Sequence, residues 1–181
     1  MAPTTILTLV GSLRAASINH QLAELAAEAA PEGVVLTLYE GLDQVPFYNE
    51  DLDTVTPPAA VAALRAAAAQ ADAALIVTPE YNGTIPAVVK NAIDWLSRPW
   101  GASDLKDKPV AVIGTAAGRY GGIWAHDETR KSLGIAGPRV VDSIKLSLAA
   151  TTLDGKHPRE NADVVSAVRD AVGALAAEVR A

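Results

Sequence analysis

"AALIVTPEYNGTIPAVVKNAIDWL", residues 73–96, contains one apolar run, one polar turn and one amphipathic segment in succession. The run 73–78 is typical of a strand that is buried on both faces. The segment 86–96 begins at a proline and repeats apolar side chains with helical period, for example at Val89 and Ile93. The stretch therefore predicts a β-strand followed by an α-helix, which is the repeating unit of a parallel sheet.

The same alternation runs through the whole chain. Apolar and β-branched runs predict five strands, at 6–10, 34–39, 73–78, 109–114 and 139–146. Segments of helical period predict five helices, at 18–30, 57–71, 86–96, 122–133 and 161–180. Such a pattern predicts a three-layer α/β sandwich, with helices on both faces of a parallel sheet. The length of 181 residues and the lack of a linker predict one domain over residues 1–181.

Composition and charge exclude several classes of function. The formal net charge is −6 and Lys and Arg form no run, so we expect no binding to nucleic acid or to a membrane. Cysteine is absent, which excludes thiol nucleophiles, disulfides and iron–sulfur clusters. The three histidines are scattered without ligand spacing, so we expect no metal site. The apolar run 6–10 is too short for a signal core or a membrane span, and we expect a cytoplasmic protein.

Unusual side chains are concentrated in the loops that leave the predicted strands. Ligands of an open parallel sheet bind beyond the carboxyl ends of the strands, where the strand order reverses. If the order is 2-1-3-4-5, the loops after strands one, three and four line one crevice. These loops are residues 11–19, 79–86 and 115–122. We therefore expect a single binding site formed by three loops.

The first of these loops has the donors that an anion needs. Ser12, Arg14, Ser17 and Asn19 lie just before and inside a predicted helix N-terminus, where unpaired N–H groups favour negative charge. A terminal phosphate would fit there. The loop matches neither G-x-x-x-x-G-K-[ST] nor G-x-G-x-x-G, which excludes the two common nucleotide motifs. The alternative is that Ser17 is only an N-cap and Arg14 only a solvated charge.

The second loop combines turn-forming residues with an aromatic side chain. Glu80 and Asn82 are turn formers and Gly83 suits a left-handed position, an account that needs no ligand. It leaves Tyr81 unexplained, because an aromatic side chain at the end of a strand offers a surface to a planar ring. Backbone N–H groups freed by such a turn can meet the nitrogens and carbonyls of that ring. The loop therefore predicts either a plain turn or a site for a flat ligand.

Other features also leave two interpretations open. The third loop has four glycines within residues 114–122, which fits either close approach to a flat ligand or ordinary flexibility. The irregular segment 40–56 is long enough to be functional or mobile. Trp95 and Trp100 flank Arg98, and this pattern predicts either core packing or a partner surface.

Taken together, the three loops resemble the NAD(P)H-dependent FMN reductases, a family of flavodoxin-like fold that includes quinone and chromate reductases. The stretch Gly11-Ser12-x-Arg14-x-x-Ser17-x-Asn19 resembles the family's phosphate loop. Its flavin-ring motif is similar to Pro79-Glu80-Tyr81-Asn82, followed by Ile85-Pro86 and Lys90-Asn91-Ala92-Ile93-Asp94-Trp95. Its third loop is similar to Gly114-Thr115-x-x-Gly118-Arg119-x-Gly121-Gly122. The likeness runs from strand one to about residue 155, and Thr84 and Ala87 depart from the serine and glycine that are usual there.

This resemblance implies a flavodoxin-like sandwich of five parallel strands in the order 2-1-3-4-5 that binds FMN. The phosphate of FMN would lie on Ser12, Arg14, Ser17 and Asn19, and residues 79–83 and the loop near Gly118 would hold its ring. The full set of expected cofactor-binding residues is Ser12, Arg14, Ser17, Ile18, Asn19, Pro79, Glu80, Tyr81, Asn82, Gly83, Thr115, Gly118 and Gly121. No side chain is expected to act as a covalent or acid–base catalyst, because FMN supplies the chemistry.

The activity implied by the resemblance is a ping-pong oxidoreduction. NADH or NADPH would transfer hydride to the flavin, leave, and be replaced by a quinone, chromate, an azo dye or free flavin. The family also implies a homodimer or homotetramer, with the stretch from Trp95 to Trp100 as the candidate contact. Two alternatives stay open: a flavodoxin-type electron carrier without its own NAD(P)H turnover, and a scaffold or sensor that binds no flavin. Flavodoxins resemble this fold but carry a different phosphate loop, Ser/Thr-x-Thr-Gly-x-Thr.

Overall fold

Five strands and five α-helices alternate along the chain in a computed structural model that describes residues 2–180. The strands are β1 Thr4–Val10, β2 Val34–Leu38, β3 Ala73–Val77, β4 Pro109–Ala116 and β5 Arg139–Ala149. The α-helices are α1 Ile18–Glu28, α2 Ala59–Gln70, α3 Ala87–Leu96, α4 Ile123–Ala136 and α5 Ala162–Glu178. Short 3-10 helices cover Leu42–Gln44, Glu50–Leu52, Ala150–Leu153 and Pro158–Glu160. Each predicted strand and helix is confirmed, with small shifts at the ends.

All neighbouring strands of the sheet are parallel, and their order is β2-β1-β3-β4-β5. The predicted flavodoxin-like topology is therefore confirmed. One core cluster contains side chains of α1 and α5, and a second contains side chains of α2, α3 and α4. The helices thus cover both faces of the sheet, and β3 between them is buried along its whole length. This burial explains why its sequence is apolar without alternation.

The edge strand β5 is longer than predicted and its pairing with β4 is interrupted. Val110 pairs with Val140, but Val112 pairs with Lys145, so the register shifts in between. At this irregularity the buried guanidinium of Arg130 donates hydrogen bonds to the carbonyls of Val112 at 2.7 Å and Ile144 at 3.3 Å. A buried cation therefore satisfies carbonyls that the interrupted ladder leaves free.

The long irregular segment 40–56 is anchored to helix α3. The side chain of Asn91 donates to the carbonyl of Pro46 at 3.0 Å and accepts from the N–H of Tyr48 at 2.8 Å. The indole N–H of Trp95 donates to the same Pro46 carbonyl at 2.8 Å. Trp95 is fully buried, so the core-packing interpretation is correct for it, whereas Trp100 is 65% exposed. The Asn91 and Trp95 positions of the family motif therefore hold this segment in place.

None of the α-helices within residues 2–180 combines the length and the apolar composition needed to cross a lipid bilayer.

Candidate cofactor site

A cleft of about 430 Å³ opens beyond the carboxyl ends of β1, β3 and β4. Its volume lies within the range of about 300 to 1,000 Å³ that is usual for small-molecule sites. It is lined by Ser12, Arg14, Ser17, Ile18, Asn19, Pro79, Glu80, Tyr81, Thr115, Ala116, Ala117 and Ala150. The three strand-exit loops thus converge on one cleft, with Arg14 and Tyr81 both in its wall. Ala116, Ala117 and Ala150 carry no functional group, so no pattern in the sequence singles them out.

Four of the residues expected to bind the cofactor do not line the cleft. Asn82 and Gly83 form a two-residue turn, with left-handed φ angles of 53° and 75°. The flanking residues exchange hydrogen bonds, from Tyr81 N–H to Thr84 O at 3.2 Å and from Thr84 N–H to Tyr81 O at 3.1 Å. Asn-Gly is the preferred pair for such a turn because both positions need positive φ. The polar stretch is therefore a turn at Asn82-Gly83, while the preceding residues Pro79, Glu80 and Tyr81 face the cleft.

Gly118 and Gly121 also lie outside the cleft wall. Gly118 is exposed, and a Cβ atom added there would meet no heavy atom within 4 Å. Gly121 has a φ of 64°, and a Cβ atom there would lie 2.6 Å from the carbonyl oxygen of Ser147. Close packing against β5 therefore explains the glycine at position 121 without a ligand.

The loop after β1 leaves several hydrogen-bond donors unused. Ser17 caps α1 by accepting from the N–H of His20 at 3.3 Å. Within residues 2–180, the backbone N–H groups of Ser12, Ile18 and Asn19 have no acceptor. The guanidinium of Arg14 is exposed and pairs with no carboxylate of the described residues; its nearest partner is the carbonyl of Ala16 at 3.5 Å. Free N–H groups, a helix N-terminus and a cation together form a site for an anion.

The side chain of Asn19 joins the first loop to the third. Its amide donates to the carbonyl of Thr115 at 2.9 Å, and its oxygen accepts from the N–H of Thr115 at 2.9 Å. Asn19 is only 4% exposed, so these two bonds are shielded from water. The Asn19 amide, which the resemblance places on a phosphate, is thus already in use, and the residue offers its backbone N–H instead.

One buried polar atom in the cleft wall has no partner. The hydroxyl oxygen of Thr115 is inaccessible to solvent and makes no hydrogen bond with the described residues. Burying an unsatisfied hydroxyl costs about 1 to 3 kcal/mol. Thr115 lines the cleft beside Ala116 and Ala117, but its hydroxyl oxygen is closed off from solvent.

Helix α4 fastens the turn that follows β3. The carboxylate of Glu80 accepts from the N–H of Ala125 at 3.2 Å, in the first turn of that helix. The hydroxyl of Thr84 donates to the carboxylate of Glu128 one turn later. A third contact comes from His126, whose Nε2 lies 2.8 Å from the carbonyl oxygen of Thr78. No local pattern in the sequence indicates this contact of His126, because its partner lies 48 residues away along the chain.

A model of the NADPH-dependent FMN reductases matches residues 4–152 of this chain. The chain belongs to this family. It is 44% identical over 125 residues to a 2-hydroxy-1,4-benzoquinone reductase of Burkholderia sp., covering 69% of this chain and 67% of that one. It is 40% identical over 129 residues to a quinone reductase of Pseudomonas putida, covering 71% and 69%. Among solved structures, FerB, the flavoenzyme NAD(P)H:(acceptor) oxidoreductase of Paracoccus denitrificans, shares a TM-score of 0.85 and 31% identity, covering 98% and 97%.

Membership confirms the family resemblance and the predicted class of enzyme, an NAD(P)H-dependent FMN or quinone reductase. The family implies FMN and NAD(P)H, and the residues of the cleft fit FMN. FMN has a dianionic phosphate at one end and a flat tricyclic ring at the other. The free N–H groups near Arg14 suit the phosphate, and the exposed aromatic side chain of Tyr81 in the wall of the same cleft suits the ring. Within residues 2–180, no group of three or more acidic or histidine side chains is arranged to hold a metal ion.

Proposed function

We propose that this protein binds FMN across the cleft and uses it to pass electrons from NADH or NADPH to a quinone. One observation carries the proposal: the anion site around Arg14 and the turn that presents Tyr81 are two walls of a single cleft. The relatives support a quinone as acceptor, since two of them are named quinone reductase and 2-hydroxy-1,4-benzoquinone reductase.

The loop after β1 would hold the phosphate. The N–H groups of Ser12, Ile18 and Asn19 are free to donate, and the positive end of α1 adds to their attraction. The guanidinium of Arg14 would add a charge-assisted hydrogen bond worth about 1.5 to 3 kcal/mol. Ser17 would act mainly by fixing the first turn of α1, because its hydroxyl already accepts from His20.

The loops after β3 and β4 would hold the ring. Pro79 is buried, and Tyr81 is 47% exposed, so together they offer a firm wall and an exposed aromatic edge. The N–H of Glu80 has no acceptor among the described residues and is free to meet a polar atom of the ring. Opposite this wall, the short side chains of Ala116 and Ala117 leave room for a flat ligand.

FMN, when bound, supplies the hydride chemistry, and the protein orients the reactants. The cleft is open to solvent, and Tyr81 at its rim is partly exposed, so small molecules can enter the cleft from solvent. A nicotinamide and a quinone would therefore use the same face in turn, which gives ping-pong kinetics. Chromate, azo dyes and free flavin are further acceptors that this arrangement would admit.

We also propose a homodimer or homotetramer in the cytoplasm, in which residues 1–181 form one FMN-binding domain. Trp100 supports an interface, since it is 65% exposed and lies in one shallow depression with Arg98 and Ile135. Tryptophan and arginine are enriched at the energetic centres of interfaces. Sedimentation of the wild type and of Trp100→Ala tests this assembly: an unchanged oligomer in the variant would remove Trp100 from the contact.

Two measurements on the purified protein test the proposed function. Titration with FMN should give saturable binding with a flavin spectrum shifted from that of the free cofactor. The FMN-loaded protein should then oxidise NADH or NADPH in the presence of a benzoquinone, with parallel double-reciprocal lines as the quinone concentration is varied. Binding of FMN without any oxidation of either nicotinamide would support the flavodoxin-type carrier instead.

A further inference from the structure

His126 does not line the cleft, yet both nitrogens of its buried ring have a polar partner. It lies in the second turn of α4 and is fully buried. Its two ring nitrogens bridge two different strands of the sheet. Nε2 lies 2.8 Å from the carbonyl oxygen of Thr78, directly after β3, and Nδ1 lies 2.6 Å from the hydroxyl oxygen of Ser147 in β5.

These two partners define the protonation of the ring. A carbonyl oxygen can only accept, so Nε2 must carry the hydrogen that it donates to Thr78. Nδ1 is then free to accept the hydroxyl hydrogen of Ser147. Burial is the main cause that lowers the pKa of His126, and the nearby charge of Arg130 lowers it further. The Thr78 hydrogen bond, Glu80 and Asp127 act in the opposite direction without reversing this shift.

The position of the Thr78 carbonyl determines the path of the chain after β3, because its peptide bond leads into Pro79. The N–H of Thr78 donates to the carbonyl of Ile113 in β4 at 3.0 Å, so both backbone polar groups of this residue are held. Gly114 leaves the space for the contact: a Cβ atom there would lie 2.1 Å from Thr78 O and 2.8 Å from His126 Nε2. The direction in which the chain leaves β3 is therefore fixed from two sides.

We propose that His126 is a positioning residue for the flavin ring. By donating from Nε2 to Thr78, the neutral imidazole fixes the path of residues 79–83 and so places Tyr81 and the N–H of Glu80. Ser147 orients the imidazole from β5, and α4 supports the same segment through Glu80 and Glu128. This inference rests on the proposed FMN site. The effect of His126 on the path of residues 79–83 can nevertheless be measured without FMN.

The test compares three variants of helix α4. His126→Leu removes the donor, whereas His126→Gln keeps an N–H that can reach Thr78. Thr129→Val is the matched control, because Thr129 is buried on the same helix but donates only to Ala125, at 2.6 Å. Amide hydrogen exchange of Tyr81 and Thr84, whose N–H groups are hydrogen-bonded across the turn, is measured without FMN, and FMN affinity is measured by fluorescence titration.

We expect His126→Leu to speed exchange at Tyr81 and Thr84 and to weaken FMN binding roughly tenfold or more, since a buried carbonyl loses its partner. His126→Gln should recover most of both properties, and Thr129→Val should match the wild type. If Leu and Gln variants behave alike, or if Thr129→Val shows the same losses, the role of His126 is only structural and the proposal is wrong. Should the Leu variant fail to fold, Ser147→Ala replaces it, with faster exchange at Tyr81 and Thr84 expected and unchanged exchange contradicting the proposal. A wild type that binds no FMN would overturn the proposed function, while the exchange data would still decide the part of His126 in holding the loop.

Discussion

The loop after β1 and the turn after β3 line the same cleft, but they use their hydrogen-bonding groups in opposite ways. Around α1, the N–H groups of Ser12 and Ile18 have no acceptor within residues 2–180, and Arg14 pairs with no carboxylate there. After β3, the chain is fastened to α4 through Thr78, Glu80 and Thr84. The first region thus keeps charge and donors for a ligand, and the second region gives the site its shape.

The link between the loop after β1 and strand β4 offers the largest expected effect. Asn19→Leu removes both hydrogen bonds to Thr115 and leaves a buried N–H and a buried carbonyl without partners. We expect the free energy of unfolding to fall by about 2 to 4 kcal/mol, measured by urea denaturation. Gln21→Ala on the same helix is the control, as no side-chain hydrogen bond of Gln21 exists in the described structure. Equal stability of the two variants would show that the Asn19 pair does not hold the loops together.

Removal of the Arg14 guanidinium should weaken FMN binding without changing the stability of the FMN-free protein. Arg14→Ala should weaken FMN binding by about 1.5 to 3 kcal/mol, because a charge-assisted bond to phosphate is lost. The melting temperature without FMN should stay near that of the wild type, since Arg14 has no close internal partner. Arg119→Ala is the matched control, an exposed arginine of the third loop outside the cleft wall. Unchanged FMN affinity in the Arg14 variant would exclude this residue from the phosphate site.

The shape of the second region depends on a left-handed glycine. Gly83→Ala forces a side chain into a φ of 75°, and we expect a loss of stability of about 1 kcal/mol. Gly118→Ala is a suitable control, since the added Cβ atom meets open space and no left-handed φ is required. Thermal unfolding of both variants compares them directly. A loss at position 118 as large as at position 83 would contradict the assigned turn.

The smallest expected effect is a dependence of stability on pH that comes from His126. Burial lowers the pKa of His126 below its ordinary value of 6.5, so the unfolded chain binds a proton that the folded chain does not. The unfolding free energy should therefore decrease as pH falls below about 6.5 and be unaffected by this group above it. Denaturation at several pH values should show a shallower decrease in His126→Gln than in the wild type. Identical slopes would mean that His126 does not remain neutral in the folded protein.

Local patterns predicted much of this structure, and long-range contacts account for the rest. Apolar runs and helical period identified every strand and every α-helix but none of the 3-10 helices, because burial on a parallel sheet leaves a direct mark on composition. The Asn82-Gly83 turn was also predictable from a local pattern, since the Asn-Gly pair itself favours positive φ. The Asn19–Thr115 pair joins residues 96 positions apart, and nothing near either residue indicates the other. The role of Gly121 was equally hidden, because it depends on the distance to Ser147 across the fold.

A crystal structure of the protein with FMN bound tests the central claim most directly. We predict that the phosphate lies within hydrogen-bond distance of Arg14 and of the N–H groups of Ser12 and Ile18, with the ring against Tyr81. A neighbouring cleft of about 410 Å³, which Arg14 shares with Tyr39 and Asp43, provides a clear alternative position. FMN bound in that second cleft, or with its ring away from residues 79–83, would contradict the account.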